Sequence, residues 1–293
     1  MIDPTRRLPP GLVEHARAFA MGGQQPVEPR HASTVVLLRD GDGSPGSLQV
    51  YLLRRHVDMA FAAGMCVFPG GGVDPRDFDD TVAWAGPSAQ RWAELLGVDP
   101  ALARALVCAA VRETFEESGV LLAGPDPDTL VADTTGADWE RDRHRLESRE
   151  LSFTEFLSGR GLVLRTDLLR LWGSWVTPVF ETRRFHARFF LAEMPAGQVT
   201  RDVSTEADQV RWLSLREAVA AVEGGAMMML PPTYCTCLEL FDLGSADEAL
   251  GAAEGRPATA IRPEAVLVGD GAYLSLPEGL VALRERVNAR IRS

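Results

Sequence analysis

The sequence has 293 residues, a formal net charge of −11, 46% hydrophobic residues and 24% charged residues. That is enough apolar material for a real core, and it excludes global disorder. All 30 basic residues are arginine, which excludes Schiff-base, P-loop and other lysine chemistry, and the acidic balance argues against a general nucleic-acid binder.

Cys66, Cys108, Cys235 and Cys237 are too few and too scattered for a disulfide scaffold. Cys235 and Cys237 form a C-x-C pair with no second pair at metal-ligand spacing, so core packing outweighs zinc. No apolar run approaches the ~18 residues of a membrane span. The start MIDPTRRLPPG lacks the apolar stretch of a signal peptide. The expectation is a cytoplasmic protein with no membrane and no nucleic-acid partner.

In chain order, residues 1–30 read as a lead-in with a short helix at 11–20. Strands follow at 32–39 and 48–54, joined by the turn-rich hairpin DGDGSPGS. The loop starts like a calcium-binding EF-hand, but Pro45 and Tyr51 stand where Gly and Glu are needed. A short strand at 65–68 runs into Gly70-Gly71-Gly72, and a polar, Trp-containing stretch at 74–100 reads as an insertion. A helix is predicted at 101–118, stopped by Gly119, then a short strand at 120–122 and a loop-like segment at 123–150. A short helix at 153–157, strands at 171–179, 185–193 and 209–213, and helices at 215–223 (N-cap Ser214) and 233–243 complete the main part. The tail reads as helical at 246–254 and 278–292, with a strand at 265–268.

The chemistry concentrates in Arg112-Glu113-Thr114-Phe115-Glu116-Glu117-Ser118-Gly119-Val120. Glu113, Glu116 and Glu117 stand at i, i+3 and i+4 and share one helix face. Their mutual repulsion calls for compensation, either by hard divalent cations or by water over a solvated acidic face. Phe68-Pro69-Gly70-Gly71-Gly72 precedes this helix. Its glycines fit either a close backbone approach, with a carbonyl at Gly71 available to a metal, or an ordinary tight turn.

Together the two segments resemble the Nudix box, G-x5-E-x7-R-E-U-x-E-E-x-G-U, where U is aliphatic. Gly71 plus five residues reaches Asp77, an acid at the first Glu position, and Arg112 to Val120 match the second half. Asp77 replaces Glu, Thr114 occupies an aliphatic position, and roughly 27 residues are inserted between the halves. An interrupted box is a feature of the acyl-coenzyme A diphosphatase branch, Nudix motif 19. Gly64-x3-Phe68-Pro69-Gly70-Gly71 resembles the end of a coenzyme A-associated signature. Trp175 to Pro178, Arg184 to Phe190, Glu206, Val210 to Leu213 and Pro231 to Thr233 resemble later parts of the branch.

The resemblance implies an α+β fold, a Nudix-like α/β/α sandwich around a mixed sheet, with extra C-terminal helices. Its implied layout is a lead-in at 1–30, a hydrolase domain at 31–243 with an insertion at about 78–104, and a helical extension at 244–293 packed on it. It implies hydrolysis of a pyrophosphate bond in a nucleoside diphosphate derivative. CoA or acyl-CoA leads, with NADH, ADP-ribose or a nucleotide sugar as alternatives and a non-catalytic sensor as a third reading. Mg²⁺ or Mn²⁺ would be held by Glu113, Glu116, Glu117 and Gly71. Arg112 would orient the glutamates, and Glu113 or Glu206 would serve as base or extra ligand. Arg55, Phe68 and Asp77 are the substrate-contacting candidates. His186 reads as structural, and Trp84 and Trp92 as buried anchors of the insertion. Met227-Met228-Met229 reads as core, with an acyl pocket or a homodimer interface left open.

Overall fold

Burial along the strands decides which face meets which helix. The computed structural model describes residues 7–8, 10–22, 24–58 and 62–292. Residues 1–6, 9 and 23 of the expected lead-in and Ser293 lie outside the described residues. In chain order the elements are α1 (Pro10–Ala20), β1 (Arg30–Arg39), β2 (Gln49–Arg55), β3 (Cys66–Val67), β4 (Gly70–Gly72), β5 (Trp84–Ala85), α2 (Ala89–Leu96) and α3 (Pro100–Ser118). Next come β6 (Ala123–Gly124), α4 (Ala137–Glu147), α5 (Phe153–Gly159), β7 (Val163–Arg165), β8 (Arg170–Val176), β9 (Phe185–Glu193) and β10 (Ala207–Ser214). The chain ends with α6 (Leu215–Glu223), α7 (Pro231–Leu240), α8 (Ala246–Ala252), β11 (Ala260–Ile261), β12 (Ala265–Val268), β13 (Gly271–Leu274) and α9 (Glu278–Arg292).

The main sheet has the order β10-β2-β1-β9-β8-β11, with β3 paired to β2 and β4 to β1. β1 and β9 run parallel from Arg30↔Phe185 to Leu38↔Glu193 and β8 runs parallel to β11, while β2 and β4 pair antiparallel with β1 and β8 with β9, so the sheet is mixed. Successive β1 side chains alternate faces. Val35 and Leu37 join Phe190 and the α3 residues Leu106, Val107, Ala110 and Val111 in one core. Val36 and Leu38 join Leu215, Val219, Leu238, Phe241, Leu280 and Val287 in the other. The result is the expected α/β/α sandwich, with α3 on one face and α6 to α9 on the other. Arg284 of α9 clamps Glu223 of α6 with two bonds of 2.7 Å each, which fastens the tail to the sandwich.

The structure changes three local expectations. Residues 120–122 form no strand. The side chain of Gln198 accepts from Leu121 N at 2.8 Å and donates to Leu121 O at 2.9 Å, so an amide replaces the ladder, and the strand falls at β6 instead. The segment 123–150 is not all loop, because it contains α4. That helix lacks a side-chain N-cap and buries only Arg143 and Leu146, so no apolar stripe announces it. The insertion holds a second helix, α2, capped by Ser88 and ended by Gly97 at φ +65. Trp92 of α2 is buried edge-on against Phe190 at 5.7 Å, so it anchors the insertion to the core.

Candidate active site

α3 is built to carry polar side chains inside the protein. Asp99 caps its N-terminus, Pro100 opens it, and Gly119 at φ +74 ends it. Its apolar residues fill the core. Thr114, at an aliphatic position of the motif, is buried and donates its hydroxyl to Ala110 O at 2.7 Å, so the backbone absorbs its polarity. Arg112, Glu116 and Glu117 are buried as well, and Glu113 keeps 14% side-chain exposure. A solvated acidic face is therefore ruled out.

The glycine run lies against these glutamates. β4 pairs with β1 through Ala32↔Gly72, Ser33↔Gly71 and Thr34↔Gly70. A Cβ on Gly71 would stand 2.5 Å from the Glu113 carboxyl carbon, and one on Gly70 2.5 Å from Ser33 O. The run is thus a close backbone approach. Gly70 N donates to Glu117 Oε2 at 2.8 Å.

Arg112 is the hub. It reaches Asp77 through two parallel 3.0 Å bonds, Glu113 Oε1 at 2.8 Å, Glu116 Oε1 at 3.3 Å and Gly72 O at 3.0 Å. Its bidentate partner is Asp77 rather than a glutamate. Asp77 is buried, and its Oδ2 also accepts from Asp74 N at 2.8 Å within a capping box. The structure thus makes Asp77 the clamp on Arg112, with its oxygens already engaged, rather than a surface open to substrate. Phe68 also departs from expectation. It is 2% exposed within the second core, so its side chain packs and does not face a ligand. Arg55 and Glu206 pair at 2.9 Å on the rim, with Glu206 50% exposed.

Burial is the first cause of unusual acidity here. It raises the pKa of Glu113 against the pull of Arg112, and with repulsion from Glu113 it lifts Glu116 to about 7. Glu117 is pushed well above the carboxylate range by burial and then by Glu113, with Glu206 adding to it. Burial would lower the pKa of Arg112, but Glu113, Asp77 and Glu116 outweigh it and raise it. Five carboxylates thus face two guanidiniums. Hard divalent cations fit such an all-oxygen, charge-deficient donor set. Arg112 holds Glu113 and Glu116 in this arrangement, and the described residues contain no converged group of three His, Cys, Asp or Glu side chains around a common point.

Residues 100–240 match the family described as the NUDT19 Nudix domain, a match that starts at the first residue of α3. A crystal structure of a NUDIX hydrolase from Alicyclobacillus acidocaldarius superposes with a TM-score of 0.63 at 26% identity, over 79% of this chain and 98% of that one. By these two matches the chain resembles the Nudix hydrolase superfamily. Within the superfamily it is similar to the acyl-coenzyme A diphosphatase NUDT19 of Xenopus laevis, at 23% identity over 64% of this chain and 58% of that protein. It is likewise similar to the NUDT19 proteins of Gallus gallus, 26% over 75% of this chain and 70% of that one, and Homo sapiens, 25% over 78% and 71%. In Nudix terms, Gly71 lies against Glu113, Gly70 bonds Glu117, Arg112 joins Glu113, Glu116 and Asp77, and Arg55 pairs with Glu206 on the rim.

The other sequence expectations sort by burial. His186 lies on β9 bonded to Ser174 at 2.8 Å. Cys235 and Cys237 are buried in the second core. Met227 and Met229 pack against the second core, while Met228 is 56% exposed. Sequence reasoning missed Arg143, which donates to Glu116 O at 2.7 Å and braces the end of α3 from α4. Its only available signal was Glu140, Arg143 and Glu147 at helical spacing.

Proposed function

We propose that this Nudix protein is a divalent-metal-dependent pyrophosphohydrolase that splits CoA or acyl-CoA into 3′,5′-ADP and the (acyl-)4′-phosphopantetheine. The observation that carries the reaction is the buried Glu116 and Glu117 with the part-buried Glu113, set against the Gly70–Gly72 strand with too little positive charge of their own. The names of its relatives and the interrupted box support the CoA substrate. Glu116, Glu117, Glu113 and the Gly71 carbonyl are the groups that would hold Mg²⁺ or Mn²⁺. When bound, the cation supplies Lewis-acid polarisation of the phosphoryl oxygens.

The chain's own residues do the rest. Arg112, fixed by Asp77, holds Glu113 and Glu116 in position. Glu113, with its pKa raised by burial, is the first candidate acceptor for the proton of the attacking water. Glu206 faces Glu113 and Glu117 from the half-exposed rim and is the second candidate acceptor. Arg55, tied to Glu206, is the cationic side chain that would meet a substrate phosphate. The setting proposed is cytoplasmic.

The test is incubation with Mg²⁺ or Mn²⁺ and a panel of CoA, acyl-CoA, NADH, ADP-ribose and nucleotide sugars, with mass detection of both products. Paired release of 3′,5′-ADP and phosphopantetheine supports the proposal. Turnover of another member alone overturns the substrate, and no turnover of any overturns the enzyme.

A further inference from the structure

A second unbalanced set of charges lies on the same sheet face, at the starts of β1 and β9. Four neighbouring strands contribute to one row: His31 from β1, His186 and Arg188 from β9, Ser174 from β8, and Arg262 just after β11. Arg188 is 3% exposed, and its guanidinium donates to His186 O at 3.0 Å. No carboxylate pairs with it among the described residues. The charge that bears on it is another cation, Arg262, which adds to burial in lowering its pKa to about 10, so it remains charged near neutrality. His186 Nε2 lies 2.8 Å from Ser174 Oγ, and its ring centroid is 6.1 Å from that of His31. His31 Nδ1 is buried with no hydrogen-bond partner among the described residues. Glu28 and Asp99 act on His31, not on Arg188.

A buried guanidinium without a counter-charge is costly, and proteins keep one only where something compensates it. Among the described residues no acid pairs with Arg188, and Glu28 and Asp99 bear only on His31. We infer that Arg188, Arg262, His31, His186 and Ser174 form a binding site for a phosphate-class oxyanion, either free phosphate or a phosphomonoester. Guanidinium and hydroxyl donors converge from separate strands, which suits a tetrahedral group with several acceptor oxygens. The row opens outward, because His31 and His186 are half-buried and Arg262 is exposed. Ser33 pairs with Arg188 on one side and Gly71 on the other. The oxyanion site is therefore distinct from the glutamate cluster, two strands or roughly 10 Å across the sheet from Gly71.

The test is melting of the whole protein in EDTA with rising inorganic phosphate, at constant ionic strength set by chloride. A saturable rise in melting temperature is expected for the wild type. Arg188→Met should weaken the apparent affinity by at least about tenfold while leaving the phosphate-free protein as stable as the wild type or more so. No saturable rise, or the same rise in both proteins, overturns the site. If Arg188→Met does not fold, Arg262→Gln at the exposed position must weaken the response, and an unchanged response overturns the proposal. Metal-loaded kinetics with CoA and dephospho-CoA then separate the sources. A KM increase confined to CoA in the variant identifies the phosphomonoester of a substrate. Equal KM values, with the phosphate effect on melting retained, identify free phosphate.

Discussion

Arg112 and Arg143 are both buried arginines ringed by carboxylates, and those carboxylates shift in opposite directions. Around Arg143, Glu140 lies at 2.8 Å and Glu147 at 3.1 Å, and Arg201 shares Glu140. Burial would raise both acids, but the arginines, and Thr205 at Glu147, bring them below the ordinary value. Around Arg112, burial and mutual repulsion win, and Glu116 rises to about 7. The first cluster is balanced and open to solvent on one side. The second holds more buried negative charge than its arginines can neutralise. The balanced one fastens α4 to the end of α3, and the unbalanced one offers carboxylate oxygens of the kind a hard divalent cation prefers.

The largest expected effect separates function from framework. Glu117→Gln should lower metal-dependent hydrolysis by at least about 100-fold without lowering the melting temperature, because it removes a strained charge. Activity close to wild type in the product assay would end the assignment of Glu117. Next, Arg112→Met leaves Asp77, Glu113 and Glu116 buried and unpaired and should destabilise the protein by about 3–5 kcal/mol. Arg143→Met should lose less, about 1–3 kcal/mol, since Glu140 and Glu147 retain 29% and 21% exposure. Urea unfolding of the two variants compares them directly, and a larger loss for Arg143→Met would reverse the contrast.

The two clusters also differ in the sign of their pH dependence. A carboxyl such as Glu116, whose pKa rises from 4.5 to about 7 on folding, keeps its proton in the folded state after the unfolded chain has lost it. Its contribution is therefore present below 4.5 and is lost as pH rises towards 7. Glu140 and Glu147, with lowered values, contribute above 4.5 and lose that contribution as pH falls below it. Melting of the metal-free protein should then decline from about pH 4.5 to about pH 7, and Glu116→Gln should flatten the decline. A wild-type profile that rises over this range would contradict the assignment. The smallest effect is that of Thr114→Val, which restores the aliphatic residue of the motif and removes one intrahelical bond. A stability change within about 1 kcal/mol is expected, read by the same unfolding curve.

Local signals made much of this legible in the sequence. β9 and α6, with its Ser214 cap, fall where alternation and capping put them, and the glutamates of α3 follow from helical spacing. What escaped depends on contacts far apart in the chain. Asp77 reads as a substrate contact until the fold brings it to Arg112, 35 positions away. Phe68 sits beside the glycine run, yet between β3 and β4 its side chain turns into the second core. α4 has no apolar stripe because a buried arginine does the packing, and Arg188 is unusual only once its surroundings are known.

Calorimetric titration of Mg²⁺ or Mn²⁺ into wild-type protein and Glu117→Gln, repeated near pH 7 in buffers of different ionisation enthalpy, tests the glutamate cluster most directly. Expected are binding to the wild type with net release of protons, because Glu116, lifted to about 7, is partly protonated there, and a loss of affinity in the variant. Absence of binding, or binding of equal strength in both proteins with no proton release, would contradict a metal site built on these glutamates.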